Sequence, residues 1–92
     1  MLDEIQSSAV IHNPAGLHAR PSVKLSRLAK TFASDITLSP VDDDTWIDAK
    51  SISSVMNLKI REGKGIAIRA IGGDAKLAVE AILGLVERRF EE

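Results

Sequence analysis

A histidine, an arginine and a proline fall within four residues of one another in Gly16-Leu17-His18-Ala19-Arg20-Pro21-Ser22, where a loop gives way to a helical pattern. Proline has its φ fixed near a helical value and lacks an N–H that would find no acceptor in a first turn, so Pro21 marks a helix start, expected from about Ala19 onward. The first-turn N–H groups, with about half a positive charge from the helix dipole, make such a terminus a place where an anion can rest. His18 stands at its rim. An imidazole is partly neutral at physiological pH, and its free ring nitrogen can attack phosphorus. Arg20 adds a fork of charged donors that matches phosphate oxygens, and the backbone amides of Ala19 and Arg20 point the same way. Gly16 lets the approaching loop take a positive φ and keeps bulk away from the imidazole. The chemistry of this stretch is that of a site holding a phosphoryl group. Alone, a histidine at a helix start need be no more than a surface residue; the whole heptad argues against that.

The elements that must position this loop can be read from periodicity. Residues 5–11 alternate as a first strand, with Ile5, Ala9 and Ile11 on one face and Val10 on the other, and Asn13-Pro14-Ala15-Gly16 ends it with turn chemistry. His12, at that strand's end, reads as a surface loop residue close enough to His18 to support it. After the turn, Pro21, Leu25, Leu28, Ala29 and Phe32 form an apolar stripe at helical spacing. Lys24, Arg27 and Lys30 lie on the other side, as a solvated face or a basic stripe for docking a partner. A hairpin follows, from a strand around Ile36 and Leu38 to one over residues 45–48, with Asp42-Asp43-Asp44 between them as a solvated turn and not a metal site. Ser51 can cap a short helix over about residues 52–58. On that helix Ile52 and Met56, four apart, could form an exposed apolar patch for partners, with core packing the competing use of Ile52. Residues 65–71 alternate as a last strand, broken by Gly72-Gly73. Asp74 is expected to cap a final helix whose apolar face is Leu77, Ala78, Ala81, Ile82, Leu85 and Val86, with Gly84 permitting close packing.

Composition bounds the rest. Ninety-two residues, 45% hydrophobic, suffice for one modest core and a single domain, residues 1–92. A net charge of −1, with one Trp, two Phe and no Tyr, argues against an RNA-binding sheet surface and against nucleic acid as a partner. With no cysteine, disulfides and thiolate metal sites are unavailable, and neither a metal nor another cofactor is expected. No apolar run approaches the roughly 20 residues of a membrane span, and the acidic start lacks a signal-peptide layout, so no membrane insertion and a cytoplasmic location are the expectation. Two histidines and no serine or carboxylate motif leave nothing for a hydrolytic triad. The element order reads as α+β, helices covering one face of a mainly antiparallel four-stranded sheet; periodicity alone leaves a ferredoxin-like domain open.

Gly16-Leu17-His18-Ala19-Arg20-Pro21 resembles the active-site signature of the histidine-containing phosphocarrier (HPr) family of the phosphoenolpyruvate-dependent sugar phosphotransferase system. Ala49-Lys50-Ser51-Ile52, followed by Val55-Met56-Asn57-Leu58, is similar to the family's second signature, and the element order fits from about residue 5 to residue 90. The resemblance implies an open-faced sandwich with strand order 1-4-2-3. It also implies that His18 accepts a phosphoryl group on Nδ1 from phosphorylated enzyme I and donates it to an EIIA-type domain of a sugar permease or regulator. On this footing the protein is a stoichiometric carrier, not an enzyme, and a monomer by analogy. The resemblance makes Ser51 the counterpart of a serine that a dedicated kinase modifies in some lineages. Here the chain departs from the pattern: Ser53 and Ser54 replace a large and a small apolar residue, and Lys59 replaces a frequent glycine. Two other classes stay open, a regulatory relative (nitrogen or carbon signalling, or a dihydroxyacetone kinase branch) and an unphosphorylated α+β interaction module.

Overall fold

Alternation of branched apolar residues with small polar ones makes strands with two unlike faces, and such strands must share one covered side. In the computed structural model, which describes residues 3–91, they do. The described residues form β1 (Asp3–Val10), α1 (Ala19–Ala29), β2 (Asp35–Pro40), β3 (Ile47–Asp48), α2 (Ile52–Asn57), β4 (Gly65–Gly72), α3 (Ala75–Glu87) and a final turn, Arg89–Glu91. The sheet order is β1-β4-β2-β3, and every pairing is antiparallel. The architecture is the expected open-faced α+β sandwich. On the central strand β4, Ile66, Ile68 and Ala70 face the helices. The register sets Ala9, Ser7 and Ile5 beside them on one flank and Pro40, Leu38 and Ile36 on the other. All of these except Ser7 and Pro40 meet Leu25, Ala29, Val55, Val79, Ile82, Val86 and Phe90 in one core. On the opposite face the Arg69 guanidinium lies over the Trp46 ring, 4.3 Å from its centroid.

Several local expectations need correction. The second strand of the hairpin, β3, is shorter than residues 45–48. Only Ile47 and Asp48 pair with β2, because Thr45 and Trp46 are held in the aspartate turn: the Thr45 hydroxyl donates to Asp43 (3.2 Å) and the Trp46 indole N–H to Asp44 (3.0 Å). On α3 the buried stripe is Ala75, Ala78, Val79, Ile82, Leu85 and Val86. Leu77 is 63% exposed; the helix phase that buries Val79 against the sheet turns Leu77 to solvent. Asp74 occupies the N-cap position but makes no side-chain cap bond. Its carboxylate reaches instead to the loop after α1, accepting from the Ala33 and Ser34 N–H groups (2.9 Å each) and the Ser34 hydroxyl. Gly84 does not serve close packing of elements, since a Cβ there would meet only the end of the Arg88 side chain.

Candidate functional site

The His18 loop is set by what lies on either side of it. Beyond β1, the Ile11 N–H donates to the Lys64 carbonyl (2.9 Å) and its carbonyl accepts from Gly63 (2.7 Å), tying the strand's end to the α2–β4 loop. The chain then turns through Asn13-Pro14-Ala15-Gly16, closed by a 2.8 Å bond from the Gly16 N–H to the Asn13 carbonyl. Gly16 has φ +69°, and a Cβ on it would fall on the Ile60 carbonyl oxygen and 2.9 Å from the Arg61 Cα. The glycine therefore serves a positive φ and a backbone-to-backbone approach at once. Leu17 follows with its N–H on the Ile60 carbonyl (2.8 Å) and its side chain in the core.

His18 is the N-cap of α1, with extended backbone (φ −86°) and no side-chain cap bond. Its carbonyl accepts the Ser22 N–H at 3.0 Å, so the amides of Ala19 and Arg20 lie ahead of that bond, at the helix's positive end. Buried Ser22 donates its hydroxyl back to the Leu17 carbonyl at 3.3 Å. Leu17 and Pro21 are both sunk in the interior while His18, Ala19 and Arg20 between them are exposed. The result is a rigid arch: two apolar anchors hold up three residues that carry an imidazole, two helix-start amides and a guanidinium. Such an arch can hold a phosphoryl group in place on a ring nitrogen.

The imidazole borders two hollows. One, about 300 Å³, is lined by Ala15, Leu17, Met56, Lys59, Ile60 and Arg61 together with His18. The other, about 440 Å³, is lined by Asn13, Pro14, Ala15 and Arg89 with His18. Sequence reasoning missed Asn13, Lys59 as a site residue, Arg61 and Arg89, all brought here by tertiary contact. The one available signal was Lys59 at a position where glycine is frequent. His12 is exposed and borders neither hollow; its neighbour Asn13 is the residue turned inward, donating from Nδ2 to the Arg89 carbonyl at 2.9 Å. A third hollow, about 670 Å³, on the open sheet face among Gln6, Ser8, Asp43 and Trp46, shares no lining residue with either.

The other candidate residues are distributed unevenly. Met56 is exposed and shares the first hollow with His18, whereas Ile52 is half-buried on the same helix. The basic stripe is not uniform: Arg27 and Lys30 are exposed, but Lys24 is half-buried and donates from Nζ to the Phe90 carbonyl at 2.6 Å. Lys24 is thus tied to the C-terminal turn. Ser51 caps α2, its hydroxyl oxygen accepting from the Ser54 N–H at 3.3 Å. Among the described residues no group of histidines and carboxylates could hold a metal, and no helix is long and apolar enough to cross a membrane.

Comparison with known proteins assigns the chain to a family. The family model described as "PTS HPr component phosphorylation site" matches residues 5–88. The chain is 39% identical over 88 residues to phosphocarrier protein HPr of Cupriavidus necator, covering 96% of this chain and 97% of that protein. It is also 39% identical over 82 residues to phosphocarrier protein NPr of Proteus mirabilis, covering 89% and 90%. Among solved structures, HPr-C-His from Thermoanaerobacter tengcongensis superposes with a TM-score of 0.89 at 33% identity, over 96% of this chain and 97% of that one. With the family model spanning almost every element around the His18 arch, the chain belongs to the HPr family of phosphotransferase-system phosphocarriers, which are carriers and not catalysts.

Proposed function

We propose that His18 is the phosphoryl acceptor, taking the group on Nδ1 from the phosphohistidine of enzyme I and passing it to an EIIA-type domain. In each transfer one P–N bond breaks as another forms, the phosphoryl group moving between two imidazoles with no net gain or loss of protons. Little covalent help is needed from other side chains; position and charge stabilisation carry the step. The Ala19 and Arg20 amides and the Arg20 guanidinium supply both, with Gly16 and Pro21 setting the loop and the helix start. The observation that carries the reading is the exposed His18 at the cap of α1, held between the buried anchors Leu17 and Pro21.

Partners would meet the same surface, with Met56 and Ile52 of α2 on the imidazole's side and Arg27 and Lys30 at the far end of α1 extending the contact. Lys24 contributes indirectly, through the C-terminal turn it holds. A cytoplasmic, single-domain, monomeric carrier follows from this reading. On the same basis Ser51 is a modification site: a phosphate at the N-terminus of α2 would be favoured by the helix and would repel an acidic partner. Because relatives named HPr and NPr stand at the same identity, the reading extends to a regulatory branch, in nitrogen or carbon signalling or with a dihydroxyacetone kinase.

The test is phosphoryl transfer from phosphoenolpyruvate and a cognate enzyme I. The expected result is an acid-labile label on the wild type and none on His18→Ala. Arg20→Ala should keep the site but slow transfer by about a hundredfold, the scale of losing one preorganised charge-stabilising group. No label from an enzyme I that is active on another carrier would overturn the reading. Offering the labelled protein to sugar-branch and regulatory-branch acceptors then separates the two roles.

A further inference from the structure

Lys59 has φ +52°. A lysine in the left-handed region carries a backbone penalty of about 1 kcal/mol or more that glycine would not, and strain of this kind collects where a side chain is needed in one place. Lys59 follows α2 directly and borders the 300 Å³ hollow that His18 also borders. Two residues on, Arg61 borders the same hollow. Its backbone is brought there by the close approach of Gly16 to Ile60 and Arg61, and by the 2.8 Å bond from the Leu17 N–H to the Ile60 carbonyl. Both cationic side chains are exposed and can adjust to an arriving group. No acidic side chain lines this hollow.

We infer that Lys59 and Arg61 form a second cationic wall of the phosphoryl site, stabilising the dianion carried on the His18 imidazole. The inference rests on the reading of His18 as acceptor. It goes beyond it by assigning charge stabilisation to a segment some forty residues away in sequence, independent of the helix start and Arg20. The alternative use of two exposed cations is to dock an acidic partner. The hollow favours the phosphoryl group, because both cations line it together with His18, although on their other side they also border a hollow with Asp42 and Lys64.

The test does not depend on any partner. Potassium phosphoramidate phosphorylates an imidazole directly: the P–N bond to ammonia breaks, a P–N bond to the ring forms, and the ring proton leaves with the ammonia. The 31P resonance of phospho-His18, assigned by its absence in His18→Ala, is titrated at low ionic strength in wild type, Lys59→Gly, Lys59→Gln and Arg61→Gln. The last ionisation of a phosphate monoester lies near 6, and a nearby cation lowers that of the phosphoryl group. Removing either charge should therefore raise the titration midpoint by about half a pH unit, and removing both should raise it further. Lys59→Gly and Lys59→Gln should shift it alike, since both lose the charge and only one relieves the backbone. A midpoint unchanged in all variants would overturn the inference, even if transfer from enzyme I slowed, since docking alone would then account for the cations. A shift with glycine but not with glutamine would overturn it too, by assigning the effect to loop geometry. Failure of the His18 reading shows separately, as wild-type protein that phosphoramidate labels and enzyme I does not.

Discussion

At the scale of single residues, the site depends on a glycine that does no chemistry. Gly16 places Leu17 in the core and His18 at the cap by adopting φ +69° while its backbone lies against Ile60 and Arg61. Gly16→Ala meets both difficulties together: an unfavourable φ, and a methyl group driven into a backbone carbonyl that cannot swing aside as a side chain could. The expected loss is about 1–3 kcal/mol, read as a lower urea midpoint with unchanged slope. Phosphoryl transfer should slow as well, because the Leu17 anchor and the arch it supports move with the loop. The chemistry-bearing residues of this arch were legible in the sequence because they are contiguous; a loop entering a helix brings its own neighbours together. Lys59, Arg61 and Arg89 were not legible as neighbours of His18. Their approach is made by backbone contacts such as Leu17 N–H to Ile60 carbonyl, which leave no mark on local spacing.

At the scale of elements, a polar group can take a tertiary partner in place of a local one. Asp74 shows it most clearly. A cap residue by position, it accepts bonds from Ala33 and Ser34, and so clips the start of α3 to the loop before β2. The Ser34 hydroxyl first, and then the Ala33 N–H, hold its carboxyl below the ordinary aspartate value of 3.8. A carboxyl whose native pKa is depressed binds fewer protons folded than unfolded. Its contribution to stability is therefore fully present above 3.8 and lost as the pH falls through the lower native value. Asp74→Ala should be less stable than wild type at neutral pH, and the difference between the two should shrink as the pH drops below 4, a trend that urea unfolding across pH 7 to 2 would follow. A difference that stayed constant to the lowest pH would show that the ionised clip contributes nothing. α3 itself illustrates the limit of periodicity. Its helical stripe was visible, but a short helix with apolar residues at 77, 78, 79, 81, 82 and 83 admits more than one phase. Contact with β1 and β4 selects the phase that buries Val79 and exposes Leu77.

At the scale of the whole molecule, the C-terminal turn closes the structure and links the core to the site. Arg89, Phe90 and Glu91 have φ values of 53°, 55° and 62°, a run that bulky residues adopt only when their surroundings compel it. Here the compulsion is burial: Phe90 is fully enclosed. Two hydrogen bonds hold its backbone, from Lys24 to the Phe90 carbonyl and from Asn13 to the Arg89 carbonyl. Phe90→Ala should cost about 3–5 kcal/mol, a large share of the roughly 5–15 kcal/mol available to a domain of this size. The check is a denaturant curve, backed by faster hydrogen exchange at the start of α1 as the turn releases Lys24. A loss near zero would mean that the turn packs independently of the core.

The sequence by itself determined the family, the α+β class, the run of elements and the loop that carries His18, because each rests on contiguous pattern: alternation within a strand, a stripe along a helix, a heptad that builds its own loop. Only the tertiary structure decided which face of α3 is buried, where Asp74 spends its hydrogen bonds, that Lys24 serves the C-terminal turn, and which cations stand around His18. Those outcomes depend on how the sheet register and helix packing bring distant segments together, and a side chain's partner there is set by position in space, which local spacing does not encode.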